Sequence, residues 1–253
     1  MTTAAIAGST PAQKVYALAR TEVQLVLRNR TLAVSALLVP IALGVFWALS
    51  FGRGPEIWPM VVSLQLAVTF GMGLYIAATQ TIVARRHSRV LKRMRTSGIS
   101  DSGLLSATLA PSIALSVVQL VVFAVIDGMP LPVNLVALLL AVPAGMVMMI
   151  AAALATSVVT PSPERGQITT LPLVFVMLGA AIAVAVIPAQ GWLQALVVVP
   201  GAGIGMLTRI AFGGDVGLGT VVGTVVATVS LLAWAAVFGY AARTRFRWDP
   251  RNG

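Results

Sequence analysis

The amino-acid sequence predicts an all-α protein that crosses a membrane several times. Of its 253 residues, 58% are hydrophobic and 9% are charged, whereas soluble domains carry about 25% charged residues. The mean hydropathy is +0.95. Six stretches reach the length of about 20 mainly apolar residues that a helix needs to span the hydrocarbon core. These predicted spans are 32–51, 60–84, 104–126, 131–159, 168–187 and 216–242.

The distribution of basic residues supports six spans with both termini in the cytoplasm. With this topology, all of the 17 Lys and Arg residues except Arg53 and Arg209 lie in cytoplasmic segments, as the positive-inside rule requires. The stretch 192–212 is long enough for a seventh span, but counting it would place the four C-terminal arginines outside. We therefore expect one six-span transmembrane domain over residues 1–253.

The stretch 192–212 is predicted to form a hairpin that dips into the membrane from the outer side, between spans five and six. Pro200 and several glycines break its helical pattern, and broken backbone at membrane depth needs cover from protein or a wet cavity. The alternative is an ordinary outer loop with apolar content.

Local signals mark the ends of several helices. Ser100 or Asp101 can cap the third span, since their side-chain oxygens accept hydrogen bonds from the first free amides. A tight turn is predicted at 127–130, and the two prolines of 161–163 end span four. Before the first span, residues 13–30 combine apolar positions with charged ones, which predicts an amphipathic helix in the inner interface.

The residue inventory argues against enzymatic chemistry. Cysteine is absent, which excludes disulfides and thiolate nucleophiles. His87 is the single histidine, so a metal site built from several histidines is not expected. Neither lysine follows a glycine, so the chain lacks an ATP-binding P-loop. No acidic residue lies well inside a predicted span, which argues against a proton-coupled carrier. We expect a non-enzymatic protein with no metal or cofactor of its own.

Polar, aromatic and methionine residues within the spans are candidates for a substrate path. Ser63 and Thr69 are polar members of span two. Interhelical hydrogen bonding, packing and lipid contact are the alternative roles for such side chains. The candidates for the path are Phe46, Trp47, Gln65, Phe70, Met72, Phe175 and Met177.

The segment 85–95 contains six of the 17 Lys and Arg residues. Val90, Leu91 and Met94 follow helical spacing while arginines occupy the other faces, which predicts a short amphipathic helix at the cytoplasmic surface. The alternative is a solvated cluster that touches anionic lipid and sets the orientation of the chain. Lipid headgroups explain the net charge of +10 better than nucleic acid does, because the charges lie at the ends of apolar spans.

Three stretches carry a resemblance to a known family. Residues 86–100 read R-x-x-x-x-L-K-R-M-R-T-x-x-I-S, residues 22–32 read EVQLVLRNRTL, and residues 190–201 read QGWLQALVVVPG. In these three stretches, the chain resembles the membrane subunit of type-2 ABC transporters. The family's usual loop glutamate, glycine and proline fall here on His87, Arg89 and Gly98, so the surface that meets the partner differs from the common pattern.

The resemblance implies a mechanism and partners. Two such subunits would pair, and each would meet a separate cytoplasmic P-loop ATPase, which binds ATP and Mg²⁺, through residues 85–103 and the N-terminal helix. Spans two and five would line the central path of the dimer. The residues implied in coupling to the ATPase are Arg86, Arg89, Val90, Leu91, Lys92, Arg93, Met94 and Arg95.

The function expected from these observations is that of an export permease in the bacterial cytoplasmic membrane. Its cargo would be a hydrophobic or amphiphilic compound, drug-like or lipid-like, because the spans are apolar and nearly free of charge. The alternative is a membrane anchor or sensor subunit for a cytoplasmic ATPase, without a transport path of its own.

Overall fold

The structure, a computed structural model, describes residues 10–28, 30–51, 54, 56–87, 100–128, 130–189 and 194–245. Throughout these ranges the chain forms helices joined by turns, and no strand occurs among them. The predicted all-α class is therefore confirmed.

Eight α-helices follow one another along the described part of the chain. Helix α3 is continuous and has a π-helical middle segment between two α-helical ones. The helices are α1 (Pro11–Arg28), α2 (Arg30–Phe51), α3 (Trp58–Val68, Thr69–Ile76 and Ala77–His87), α4 (Asp101–Ile126), α5 (Leu135–Val159), α6 (Pro163–Val186), α7 (Ala202–Ala211) and α8 (Thr220–Arg245).

Five of these helices are long and apolar enough to cross a membrane, judged by length and composition of the described residues. They are α3, α4, α5, α6 and α8, which coincide with predicted spans two to six. The predicted first span, 32–51, falls on α2. The described apolar part of α2 is Leu37–Phe51, which is shorter than a span. The chain is therefore a multi-pass membrane protein, and a sixth span at α2 stays a prediction.

The predicted signals at the start of α4 and the end of α5 are confirmed. The Ser100 hydroxyl oxygen accepts a hydrogen bond from the backbone amide of Gly103 at 3.2 Å, which satisfies one of the free amides of the first turn. Helix α5 ends at Val159, just before the two prolines.

Three helices begin four or more residues away from the start of the predicted span. Helix α5 starts at Leu135 rather than 131, because Asn134 caps it by accepting a hydrogen bond from the amide of Ala137 at 3.2 Å. Helix α8 starts at Thr220 rather than 216, since Gly217 and Gly219 have φ values of 74° and 69°. Helix α6 starts earlier than 168, at Pro163, a position where the missing amide hydrogen costs nothing.

Helix α7 lies at the centre of the bundle and packs against α3, α5, α6 and α8. All its residues except Arg209 are buried. Gly203 brings it next to α8, because a Cβ atom there would lie 2.6 Å from the carbonyl oxygen of Ala227. Small residues permit this approach of two backbones in membrane proteins.

The predicted outer hairpin has a broken backbone in the part that is described. A short 3₁₀ helix at Ala195–Val198 leads to Gly201, whose φ is 87°, and then to α7. Protein covers α7 on several sides, as irregular backbone requires at membrane depth. Trp192 lies outside the described residues, and the position of the hairpin in the membrane stays a prediction.

The predicted N-terminal helix is present as α1 and packs on α2 and α4. Its position in the membrane interface stays a prediction.

Candidate functional site

Helix α3 forms the axis of the site, and its middle is π-helical. The π segment Thr69–Ile76 contains Gly71 and Gly73. A Cβ atom on Gly73 would lie 2.4 Å from Oε1 of Gln119 on α4, so a larger residue there would displace the Gln119 side chain from α3. Tyr75 and Thr156 share a hydrogen bond of 2.8 Å between their hydroxyls, which joins α3 to α5. π-Helical turns inside α-helices are frequent at functional sites.

Two hydroxyl groups on α3 are buried without a hydrogen-bond partner among the described residues. They belong to Ser63 and Thr69, which are 1% and 0% exposed. A buried polar group left unpaired costs about 1–3 kcal/mol. Such hydroxyls can hydrogen-bond to water or to a passing solute, so their position favours a polar contact along α3.

Gln65 and Asp127 form a buried polar pair near the end of α4. The amide nitrogen of Gln65 donates to Oδ1 of Asp127 at 3.2 Å and to the carbonyl oxygen of Gly44 at 3.4 Å. Gln65 is 2% exposed and Asp127 is 5% exposed. These contacts connect α2, α3 and the C-terminal end of α4.

This pair lines a cavity of about 270 Å³ between α3, α4 and α5. The walls are mainly aliphatic and aromatic, and Gln65 and Asp127 supply polar groups. Among the described residues that line the cavity, Asp127 is the charged one. The apolar lining includes Val62, Leu66, Leu120, Phe123, Leu138 and Phe212.

The seven residues predicted for a substrate path do not meet at one place. Gln65 lines the cavity. Phe70 and Met177 are 0% and 1% exposed and pack in the core. Phe46 and Phe175 lie on the outer surface of α2 and α6, with 59% and 64% of their surface exposed.

The other two predicted path residues are partly buried. Trp47 packs against a small cluster that includes Leu64 and Ala181, and Met72 packs against the main core. Their roles as substrate contacts stay predictions.

The C-terminal end of α3 is fastened to two other helices. Nη2 of Arg85 lies 2.5 Å from Oε2 of Glu22, which joins α3 to α1. Nη1 of Arg86 donates a hydrogen bond to the carbonyl oxygen of Ser157, which joins α3 to α5. We call this set of four residues the basic end. The other predicted coupling residues, from Arg89 to Arg95, lie outside the described residues, so the coupling helix stays a prediction.

Arg209 caps the end of α6. Its Nη1 donates to the carbonyl oxygens of Val184 and Ile187 at 2.7 and 2.8 Å, and these carbonyls have no partner within the helix. Burial lowers the pKa of the Arg209 guanidinium, and the Asp215 carboxylate opposes that shift. Sequence reasoning used Arg209 only as a charge outside the membrane and missed this contact.

Sequence reasoning also missed Asp127 as a site residue and assigned it to a turn. One signal could have found it: an acidic residue directly after a long apolar helix faces the negative end of the helix dipole, where a cation is favoured. No group of three or more metal-ligating side chains occurs within the part of the chain that the structure describes.

Comparison with known proteins identifies the family. A family model described as "ABC-2 type transporter" matches residues 13–200. No curated protein and no solved structure gives a significant match to the chain. The match covers α1 to α6 and most of the described hairpin before α7, including the basic end and the Gln65–Asp127 pair. The chain therefore belongs to the ABC-2 type transporter family, as the membrane component of an ABC transporter.

Proposed function

We propose that this protein is the permease subunit of an ATP-driven exporter in the bacterial cytoplasmic membrane. It pairs with a second permease subunit, and a separate cytoplasmic ATPase binds ATP and Mg²⁺ and hydrolyses the ATP. Helix α2 also crosses the membrane, as the first of six spans. The observation that carries the proposal is the family match over residues 13–200.

The contacts of the basic end support a route for mechanical coupling. The ATPase would dock on the segment after α3, with Leu91 and Met94 as apolar contacts. A displacement of that segment reaches α1 through Arg85 and Glu22, and reaches α5 through Arg86. Helices α1, α3 and α5 then respond together when the ATPase docks. Nucleotide binding shifts the equilibrium between two conformations of the spans, one of them outward-open, only as far as its affinities for the two conformations differ.

The interior of the described bundle supports a hydrophobic or amphiphilic cargo. The lining of the cavity beside α3 is mainly apolar, and the buried hydroxyls of Ser63 and Thr69 offer isolated polar contacts. Helix α3 is the most buried of the five candidate spans. An anchor subunit has no need for unpaired hydroxyls there, because each one lowers its stability. These features favour transport over the anchor or sensor role.

The test is co-purification in mild detergent with the P-loop ATPase of the adjacent reading frame. We expect the wild type to retain the ATPase and the double variant Leu91→Asp/Met94→Asp to lose it. Val133→Asp is the control, because Val133 is 82% exposed and lies away from the basic end. If the double variant retains the ATPase, docking through residues 85–103 is wrong.

A second measurement separates transport from anchoring. The complex is reconstituted in liposomes, and ATP-dependent movement of an amphiphilic dye is followed by fluorescence. Dye movement that stops when the catalytic base of the ATPase is replaced supports an exporter. A complex that assembles and hydrolyses ATP, but moves none of a panel of amphiphilic dyes, favours the anchor or sensor role.

A further inference from the structure

The side-chain oxygen of Gln65, beside the cavity between α3, α4 and α5, accepts no hydrogen bond from the described residues. Nε2 of Gln65 donates to Oδ1 of Asp127 and to the carbonyl oxygen of Gly44. Both of these partners are acceptors, which fixes the orientation of the amide group and leaves Oε1 at its other end. Gln65 is 2% exposed and lines the cavity. The cavity is therefore the space in which Oε1 can meet a donor.

The cavity has the size and the walls for a small aromatic ligand. An engineered protein cavity of about 150 Å³ lined by apolar side chains binds benzene. On that scale, a cavity of about 270 Å³ holds about ten non-hydrogen atoms of a ligand. Phe123 and Phe212 contribute rings to the walls, and Leu66 and Leu138 contribute aliphatic surface. Because aromatic side chains favour offset or edge-to-face contacts with another ring, this lining suits a ring with a short alkyl substituent.

One residue of α2 holds both the aromatic wall and the amide group in place. The ring of Phe123, which is 3% exposed, packs so closely on Gly44 that a Cβ atom there would overlap it. The carbonyl oxygen of Gly44 also accepts the hydrogen bond from Gln65. The acceptor and the apolar wall are thus fixed relative to each other before a ligand binds, and such preorganisation lowers the cost of binding.

We propose that this cavity is a binding site for a small neutral alkylphenol. The phenolic hydroxyl donates to Oε1 of Gln65, and the ring and its alkyl group lie against Phe123, Phe212 and the leucines. A phenol with a pKa of about 10 is uncharged at neutral pH, so recognition does not require the charge of Asp127. An acyl chain of a lipid would fill the same walls but leave Oε1 unpaired, which is unfavourable for a buried acceptor.

The proposed site lies within one chain, away from a path between two subunits. The inference therefore does not depend on the transport function, because binding is measured on this chain without an ATPase.

The test is equilibrium dialysis of para-propylphenol against the full chain in dodecyl maltoside, with empty micelles as the reference. The matched ligand is para-propyltoluene, in which a methyl group replaces the hydroxyl and the number of non-hydrogen atoms is the same. Both ligands are compared at equal concentration in the micelle phase. We expect one para-propylphenol per chain, bound roughly tenfold more tightly than para-propyltoluene, because the methyl group leaves Oε1 unpaired.

Gln65→Met removes Oε1 and keeps the approximate volume of the side chain. This variant should bind para-propylphenol only as tightly as it binds para-propyltoluene, because the hydroxyl has lost its acceptor. Retained binding of para-propyltoluene shows that the cavity of the variant is folded. The control is Gln167→Met, at an exposed position of α6, which should keep the preference for the phenol.

A second variant tests the location of the site without removing a hydrogen bond. Ala124 lines the apolar part of the cavity, and Ala124→Phe should block both ligands. Ala236→Phe, at an exposed position of α8, should bind both ligands as the wild type does.

Four results would overturn the proposal. The first is equal affinity of the wild type for the two ligands, and the second is a folded Gln65→Met variant that keeps the preference for the phenol. The third is unchanged binding by a folded Ala124→Phe variant. The fourth is a wild type that binds neither ligand, which would show that a detergent or lipid chain fills the cavity.

Discussion

The two ends of helix α3 are held in the bundle by different kinds of contact. At the basic end, Arg85 and Arg86 reach α1 and α5 through partly exposed polar side chains. At the other end, buried groups bring α3 into contact with α2 and α4, and α7 packs beside them. We call this region, defined by Gln65, Asp127, Gly203 and Arg209, the cavity end.

This difference has a mechanical consequence. Ion pairs in contact with solvent contribute little, about 0–1 kcal/mol when exposed. The Arg85 and Glu22 side chains keep 15% and 20% of their surface exposed, so this pair can re-form in a new geometry more easily than a fully buried contact can. Buried backbone contacts and buried hydrogen bonds resist displacement, because tightly packed interiors have few alternative arrangements. We therefore expect the cavity end to resist displacement more than the basic end does, and we call the cavity end the fixed frame.

The largest expected effect is at Gly203, within the fixed frame. Gly203→Ala places a Cβ atom 2.6 Å from the carbonyl oxygen of Ala227 and 2.8 Å from Cγ of Leu231. Because a backbone carbonyl cannot turn away, α7 and α8 must separate, and we expect a loss of about 3 kcal/mol in the free energy of unfolding. The measurement is unfolding in mixed dodecyl maltoside and SDS micelles, followed by tryptophan fluorescence.

The matched control for this change is Gly179→Ala on α6. A Cβ atom there meets nothing within 4 Å, so the same substitution should be neutral or stabilising by up to about 1 kcal/mol through helix propensity. Equal losses for the two variants would contradict the backbone contact between α7 and α8.

Arg209 should give the next largest effect. Arg209→Met removes the donor to the carbonyl oxygens of Val184 and Ile187 and keeps much of the apolar stem. Hydrogen bonds from charged groups contribute about 1.5–3 kcal/mol, and we expect a loss of about 2 kcal/mol. Arg243→Met, at an exposed position of α8, removes the same charge and should change the unfolding free energy by less than about 0.5 kcal/mol.

Gln65 should rank third. Gln65→Leu keeps the approximate volume but removes the donor to Asp127 and to Gly44, so the buried carboxylate loses a hydrogen bond. We expect a loss of about 1.5 kcal/mol in the same unfolding assay. The control is Gln167→Leu, an exposed position of α6, and the idea fails if both glutamine variants unfold alike.

Hydropathy predicted the existence of the long helices, because an apolar run of span length has few other ways to pair its backbone amides and carbonyls by hydrogen bonds inside a bilayer. It could not place the start of α5 or α8. Residues 131–133 and 216–219 are apolar or glycine and continue the hydropathic run, while the helix begins only where Asn134 caps it or where the glycines with positive φ end.

The site was harder to predict than the fold. In helices that are apolar on every face, hydropathy does not distinguish core positions from peripheral ones, so Phe70 and Phe175 looked alike although one is 0% and the other 64% exposed. The burial of Asp127 depends on Gln65, which lies 62 residues away. The π segment and the Arg86–Ser157 contact depend in the same way on how distant helices pack.

The smallest expected change in stability is at the basic end, where Glu22→Gln removes the ion pair with Arg85. The two side chains keep 20% and 15% of their surface exposed, so water still screens the pair in part, and we expect a loss of about 1 kcal/mol that becomes somewhat smaller in high salt. ATP-driven dye movement should fall more than stability does, because α1 no longer follows the end of α3. Glu56→Gln, at an exposed position before α3, should alter neither quantity. A Glu22→Gln variant that unfolds as easily as Arg209→Met would show that the basic end is as rigid as the cavity end, and the mechanical difference between the two ends of α3 would be lost.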